Sequence, residues 1–372
     1  METYNAGRRP RASLVIPVYN VERYLEQCLE SACRQTLRDI EVVCVNDGST
    51  DGSLAIIERF AAHDPRIRVV NKPNSGYGAS MNRGLSEARG EYVGILESDD
   101  FMEPDALEKL VDAAEELDAD VAKGNFNLYW SAPAERIEFF ELVRERDCGR
   151  PVDTRAETRI FHQKPSIWSA VYRRAFLDDP AGDGSIAPIR FLETPGAAYQ
   201  DTSFAFKALA LARRATFLHD SVLNYRQDNE SSSVNSRGKA FFVCDEYAEI
   251  ERFLAALPEG NPARALGNVE LAAKYDSYMW NYARLAPELR LPFLRRMADE
   301  FGASMRRDAS FYDELKPWKR ANLRAILDSP ERFERDNAAY ADAGALGRAK
   351  HYLKLGGPAL LASYAAARLR HE

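Results

Sequence analysis

From Ser13 to about Asn125 the apolar residues switch repeatedly between short strand-like runs and helical spacing, and this alternation leaves few folds open. SLVIPVYN (13–20), IEVVCVND (40–47), IRVVNK (67–72), EYVGILES (91–98) and ADVAKGN (119–125) read as strands. Between the first two, Val21, Tyr24, Leu25, Cys28, Leu29 and Ala32 form one helical stripe. Further helices are expected from Thr50 or Asp51, around Ala79 to Ala88, and from Pro104 to Leu117, where the proline suits a first turn. Nearly continuous apolar strands joined by helices call for an α/β fold: a mainly parallel sheet flanked by helices, with ligands at the carboxyl ends of its strands.

Beyond Asn125 the rhythm weakens and aromatic, Pro and Gly residues accumulate. For 372 residues, two or three packed units are expected. The boundaries fall at 1–125 for the α/β domain, 126–238 for a loop-rich lobe and 239–372 for a helical region broken by Pro258, Pro262, Pro287 and Pro317. In that last region Tyr275, Tyr278, Trp280 and Tyr282 fall in one helix-like stretch and are expected to pack within the segment. From Arg348 to Glu372 the tail carries five basic residues and one acidic one. Two readings stand: a closing helix that docks on the protein, or peripheral contact with an anionic membrane.

With 45% hydrophobic and 29% charged residues the chain has material for a core, and its net charge of −7 argues against a nucleic-acid partner. No CxxC pair occurs among the five cysteines, and the five histidines show no metal spacing. Neither a signal peptide nor an apolar run of the ~20 residues that a membrane span needs is visible, so a cytoplasmic protein is expected. The first turn, VYNVERY, contains no glycine, which removes the dinucleotide fingerprint and the phosphate loop.

What remains is carboxylates at strand ends. Asp47 ends the second strand, and Glu97, Ser98, Asp99 and Asp100 follow EYVGIL. Buried acids at such positions need a cation or hydrogen-bond partners. Glu97 and Asp99, one residue apart, can share a Mg²⁺ or Mn²⁺ that keeps open positions for phosphates. Equally, Ser98, Asp99 or Asp100 can cap the next helix, and Asp47 can belong to an ordinary turn in NDGSTDGS. A carboxylate at Asp47 only accepts hydrogen bonds and so suits an imide N–H such as that of uracil, or guanine, and repels the acceptor edge of cytosine.

IPVYN (16–20), VNDGSTDGS (45–53), NSGYGASMNRGL (74–85) and RGEYVGILESDD (89–100) together resemble the nucleotide-sugar-binding half of family 2 glycosyltransferases of the GT-A fold. KPSIWSAVYRR (164–174), YQDTSF (199–204) and NYRQDNESSS (224–233) are similar to acceptor-side segments of the bacterial cell-surface members. The resemblance implies a nucleotide-sugar donor, commonly a UDP-sugar, and an inverting, metal-dependent transfer to a glycan, lipid-linked or polyol-phosphate acceptor. It places Asp47, Pro17, Tyr19 and Asn82 around the nucleoside, with Ser98 beside them. Asp99 becomes the metal ligand, and Glu97 a second ligand or a ribose contact. It makes Arg226, Ser231 and Ser233 part of a segment that closes on the diphosphate, and Asp201 the general base. Two positions depart from the pattern: Glu97, where Asp is commoner, and Gln200, where a Glu usually precedes the base.

Asp201 also fits a plain N-cap of TSFAFKALALA, and Trp168 either a wall for a sugar ring or a core side chain. Two other functions compete. One is a nucleotide-sugar-binding protein without turnover, in which Gln200 and Glu97 mark eroded catalysis. The other is a sugar-phosphate nucleotidyltransferase, which VYNVERY disfavours because an early Gly-rich turn is missing.

Overall fold

The computed structural model describes residues 9–195, 199–229, 239–341 and 344–368. The chain forms two compact units, one of Met1–Asn235 with Glu246–Arg264 and one of Ser236–Asp245 with Ala265–Glu372.

The first unit alternates as the apolar runs require: β1 (Ala12–Val18), α1 (Glu22–Cys33), β2 (Ile40–Asp47), α2 (Ser53–His63), β3 (Ile67–Lys72), α3 (Tyr77–Glu87), β4 (Tyr92–Ile95), β5 (Phe101–Met102), α4 (Ala106–Glu116) and β6 (Val121–Trp130). It continues with β7 (Arg136–Phe140), β8 (Ala170–Arg173), α5 (Arg174–Asp178), α6 (Asp201–Leu211) and β9 (Ala215–Arg226). One sheet runs in the order β3-β2-β1-β4-β8-β6-β9-β5, with β7 paired to β6. β1 pairs parallel with β2 on one side and β4 on the other, and β2 with β3. β8 is antiparallel to both β4 and β6, while β9 runs parallel to β6. All residues of β1 and β2 are buried, so the sheet is covered on both faces at these strands. Each buried Leu, Ile or Val there contributes about 1.5–3 kcal/mol.

This topology fixes where a ligand can enter. Successive strands leave β1 in opposite directions, and the crevice at such a reversal lies outside the carboxyl ends of the strands. Val18, Asp47 and Ile95 are the last residues of the three adjacent strands β1, β2 and β4.

Beyond 125 the connections are long and irregular, yet β7, β8 and β9 extend the same sheet. The single-sequence signal weakens there because β8 has only four residues and β9 loses its regular register against β6 between Lys123 and Asn127.

The second unit is helical: α7 (Phe242–Ala256) starts in it, followed by α8 (Gly267–Arg284), α9 (Pro287–Arg307), α10 (Ser310–Glu314), α11 (Pro317–Asp328), α12 (Pro330–Ala341) and α13 (Gly344–Arg368). Pro287 and Pro317 open α9 and α11, where a missing N–H costs nothing. Tyr275, Tyr278 and Tyr282 are buried as expected, but Trp280 is exposed, with Arg284 4.0 Å above its ring. In α13 the backbone leaves the helical region at Gly356 and Gly357, the latter with φ of +72°. There the chain folds back, so that Tyr352 and Tyr364 stack at 4.2 Å, whereas an unbroken helix would hold them about 18 Å apart. Trp318 meets both rings edge-on. No helix among the described residues is long and apolar enough to cross a membrane.

Candidate active site

The rim of the crevice is built by lacing two turns together. Asn20 accepts from the Thr50 N–H at 2.8 Å and donates its own N–H to Ser49 Oγ at 3.1 Å. The Val21 N–H donates to Ser53 Oγ and the Glu22 N–H to Asp51 Oδ2. VYN and DGSTDGS therefore behave as one rigid edge, with Pro17 buried and Tyr19 half exposed above it. Asp47 is buried at its floor. Its Oδ1 accepts from the Ser75 N–H at 2.9 Å and from Lys72, and its Oδ2 from the Gly76 N–H at 3.0 Å. It takes no part in capping α2. Because a carboxylate oxygen has two lone-pair sites, Oδ2 keeps one acceptor position unused by these bonds.

After β4 the chain presents Glu97, Ser98, Asp99 and Asp100 in one turn. None of them caps α4, whose N-cap residue is Asp105, because β5 intervenes. Glu97 accepts from the Tyr77 hydroxyl. Burial pushes the Glu97 carboxyl up to about 8, the Tyr77 bond opposes this, and repulsion from Asp99 and Asp201 adds to it. Asp99 Oδ2 accepts from Asn229 Nδ2 at 2.8 Å. Asp100 is buried; one oxygen accepts the Arg226 N–H at 2.8 Å and the other has no hydrogen-bond partner among the described residues. Burial first, and then Asp99, raises its carboxyl well above the usual range.

Asp201 is the first residue of α6 rather than its N-cap, a position held by Gln200. Burial lifts its carboxyl to about 6, against the pull of Lys164 and of the N–H groups at the helix start. Its charge in turn raises Glu97 and Tyr77, so residues more than a hundred positions apart share one electrostatic field. Lys164 sits 3.7 Å above the Tyr225 ring, and Tyr225 stacks on Trp168 at 5.0 Å. Trp168 is buried, which makes it a core side chain.

Arg226, expected on a segment that closes on the diphosphate, is the buried last residue of β9, donating from Nε to the Asp99 carbonyl at 2.8 Å and from Nη2 to Gln27, with Tyr24 and Tyr129 against its guanidinium. Ser231 and Ser233 lie outside the described residues. Asn82 works as a clasp, donating to the Phe191 carbonyl at 3.0 Å and to Glu193 at 2.8 Å while accepting the Phe191 N–H at 2.9 Å.

Several participants carried no sequence signal. Tyr77 lies in a GYG that reads only as a tight turn. Lys123 is buried in β6, with Nζ donating to both Ser166 Oγ at 2.8 Å and Ser169 Oγ at 3.0 Å; burial brings it down to about 7, opposed by Asp201. Buried Glu246, from α7, accepts the Ser203 N–H at 3.0 Å and thereby caps α6, which has no cap of its own.

The donor set suits a hard divalent cation. Glu97, Asp99 and Asp100 repel one another, as do Glu97 and Asp201, and a cation beside them would relieve that repulsion. Among the described residues no cluster of three or more His, Cys, Asp or Glu side chains has metal-holding geometry. One or two carboxylates, completed by substrate phosphates, is the usual Mg²⁺ arrangement.

Residues 13–139 match the sequence profile of Glycosyl transferase family 2. The chain is 42% identical over 228 residues to the glycosyltransferase GlyG of Streptococcus pneumoniae serotype 4, covering 59% of this chain and 71% of that protein. It is 32% identical over 229 residues to the uncharacterized glycosyltransferase EpsJ of Bacillus subtilis (strain 168), covering 60% of this chain and 62% of EpsJ's own length. The fold is similar to that of S. aureus TarS 1-349 in complex with UDP-GlcNAc, with a TM-score of 0.63, 21% identity and 90% of each chain covered.

Proposed function

Because the chain belongs to glycosyl transferase family 2 and has a GT-A-like fold, we propose that it transfers a sugar from a UDP-sugar to a hydroxyl of a cell-surface glycan or related acceptor, with inversion. The observation that carries this reading is Asp201: a carboxylate at the start of α6 whose field reaches Glu97 and Tyr77 at the sheet's carboxyl edge. The UDP-GlcNAc bound to TarS supports the choice of nucleotide.

In this reading 1–125 holds the nucleotide-sugar and 126–238 supplies the acceptor side. Asp47 accepts the uracil imide N–H at the unused site of Oδ2, and Pro17 and Tyr19 line the base. Lys72 and the two backbone N–H groups hold Asp47 rigidly for this. Asp99, with Glu97, would hold a divalent cation, which supplies positive charge against the charge developing on the diphosphate. Asp201 accepts the proton of the acceptor hydroxyl as that oxygen attacks the anomeric carbon from the face opposite the diphosphate. An ordinary Asp, near 3.9, would be a poor base; burial brings Asp201 to about 6, nearer the working pH.

The raised carboxyl must be ionised to act, so turnover is retained above about 6 and lost as pH falls through it. A pH–rate profile at saturating UDP-sugar is expected to show an acid limb near 6 with about tenfold loss per further unit. A limb near 4, or none, removes Asp201 from this role.

A further inference from the structure

Gln200 stands where the family resemblance leads one to expect a second carboxylate, and its surroundings explain the amide. It is buried, and its Nε2 donates to the Thr194 carbonyl at 3.0 Å, Thr194 Oγ1 at 2.9 Å and the Leu192 carbonyl at 3.3 Å. Two carbonyls facing one nitrogen also settle which end of the amide points there. Oε1, on the other side, is buried without a hydrogen-bond partner among the described residues.

The strap that Gln200 grips, Arg190 to Thr194, is bolted at several other points. Asn82 of α3 bonds Phe191 in both directions. The Leu192 carbonyl lies so close to Gly78 of α3 that a Cβ there would come within 2.1 Å of it, which only glycine permits. Phe191 stacks on Phe204 of α6 at 4.1 Å and meets Tyr77 edge-on at 6.0 Å. Lys207 of α6 donates to the Arg190 carbonyl at 2.8 Å. One short segment thus joins α3 to α6, and the residue after Gln200 is Asp201.

We propose that Gln200 is a positioning residue whose amide ties the Leu192–Thr194 strap to the first turn of α6 and so fixes Asp201 against α3. The role given to Asp201 rests on the function proposed above; the clasp does not. A glutamate here would set an anion against the Leu192 and Thr194 carbonyls, which can only accept. Restoring the family's commoner residue should therefore slow the enzyme, whereas an eroded second carboxylate predicts the opposite.

Gln200→Glu and the uncharged Gln200→Met are compared with wild type in the full chain, by UDP release from UDP-GlcNAc and by amide hydrogen exchange. Both variants are expected to lose about 10- to 100-fold in kcat, as small displacements of a reacting group do, with the KM for UDP-GlcNAc within about threefold. The amides of 191–194 and 201–204 are expected to exchange about tenfold faster or more. A Gln200→Glu variant as fast as wild type or faster, or exchange unchanged in both variants, overturns the proposal. Wild type that releases no UDP counts against the proposed function, and exchange alone then decides the clasp.

Discussion

Asp201→Asn is expected to lower kcat about 10³-fold while the affinity for UDP-sugar stays within about threefold. Asparagine keeps the size and the hydrogen-bonding oxygen of the side chain but cannot take up a proton. A 10³-fold loss corresponds to about 4 kcal/mol of transition-state stabilisation, a common yield for a positioned general base. The site is arranged to make that loss visible. Burial gives Asp201 a proton affinity that a solvated aspartate lacks, and Lys164 keeps it from rising further. Steady-state kinetics read kcat, and calorimetric titration with UDP-GlcNAc reads affinity. The same pair of measurements separates enzyme from binding module. A wild type that binds the nucleotide-sugar with no transfer to any acceptor, and an Asn variant indistinguishable from it, would favour the module.

Asp99→Asn is expected to abolish the metal-dependent part of nucleotide binding. For wild type, UDP with Mn²⁺ at a hundred times its dissociation constant should stabilise the fold by about 2.7 kcal/mol, and UDP alone by much less. In the variant the gain from Mn²⁺ should disappear, because a neutral amide oxygen is a far weaker ligand for a hard cation than a carboxylate. Thermal shift with UDP, GDP, dTDP and CMP, each with and without Mn²⁺, measures this and the base preference together. Equal stabilisation of wild type and variant by UDP with Mn²⁺ would remove Asp99 as a ligand, and a preference for CMP would remove Asp47 from the base.

The parts of the site that local patterns could reveal are those built from single turns. Asp47 and Asp99 follow strands whose apolar runs are unambiguous, so their place at the carboxyl edge was readable from spacing. Asp201 needed the family resemblance, since YQDTSF by itself is an ordinary helix start. That Arg226 ends a strand is not readable from the Asn- and Ser-rich residues after it, because the parallel pairing of β9 with β6 carries the strand through to the Tyr129–Arg226 step. Long-range pairing of this kind has no local signature. Glu246 and Lys123 were invisible for a related reason. A carboxylate capping a helix that starts 45 residues earlier, and a lysine satisfied by two serines, depend on tertiary packing alone. Trp280 reversed its expectation because it lies off the stripe that Leu271, Tyr275, Tyr278 and Tyr282 bury on α8, and the ring meets an arginine instead of the core.

A crystal structure of the full chain with UDP and Mn²⁺ tests most directly whether these distant acids serve a single reaction. The uracil imide should donate to Asp47, the cation should sit on Asp99 between the carboxylate and the diphosphate, and Asp201 should face the open end of the diphosphate where a sugar would lie. UDP seated away from Asp47, or an Asp201 carboxyl turned from the diphosphate toward another surface, would contradict the account.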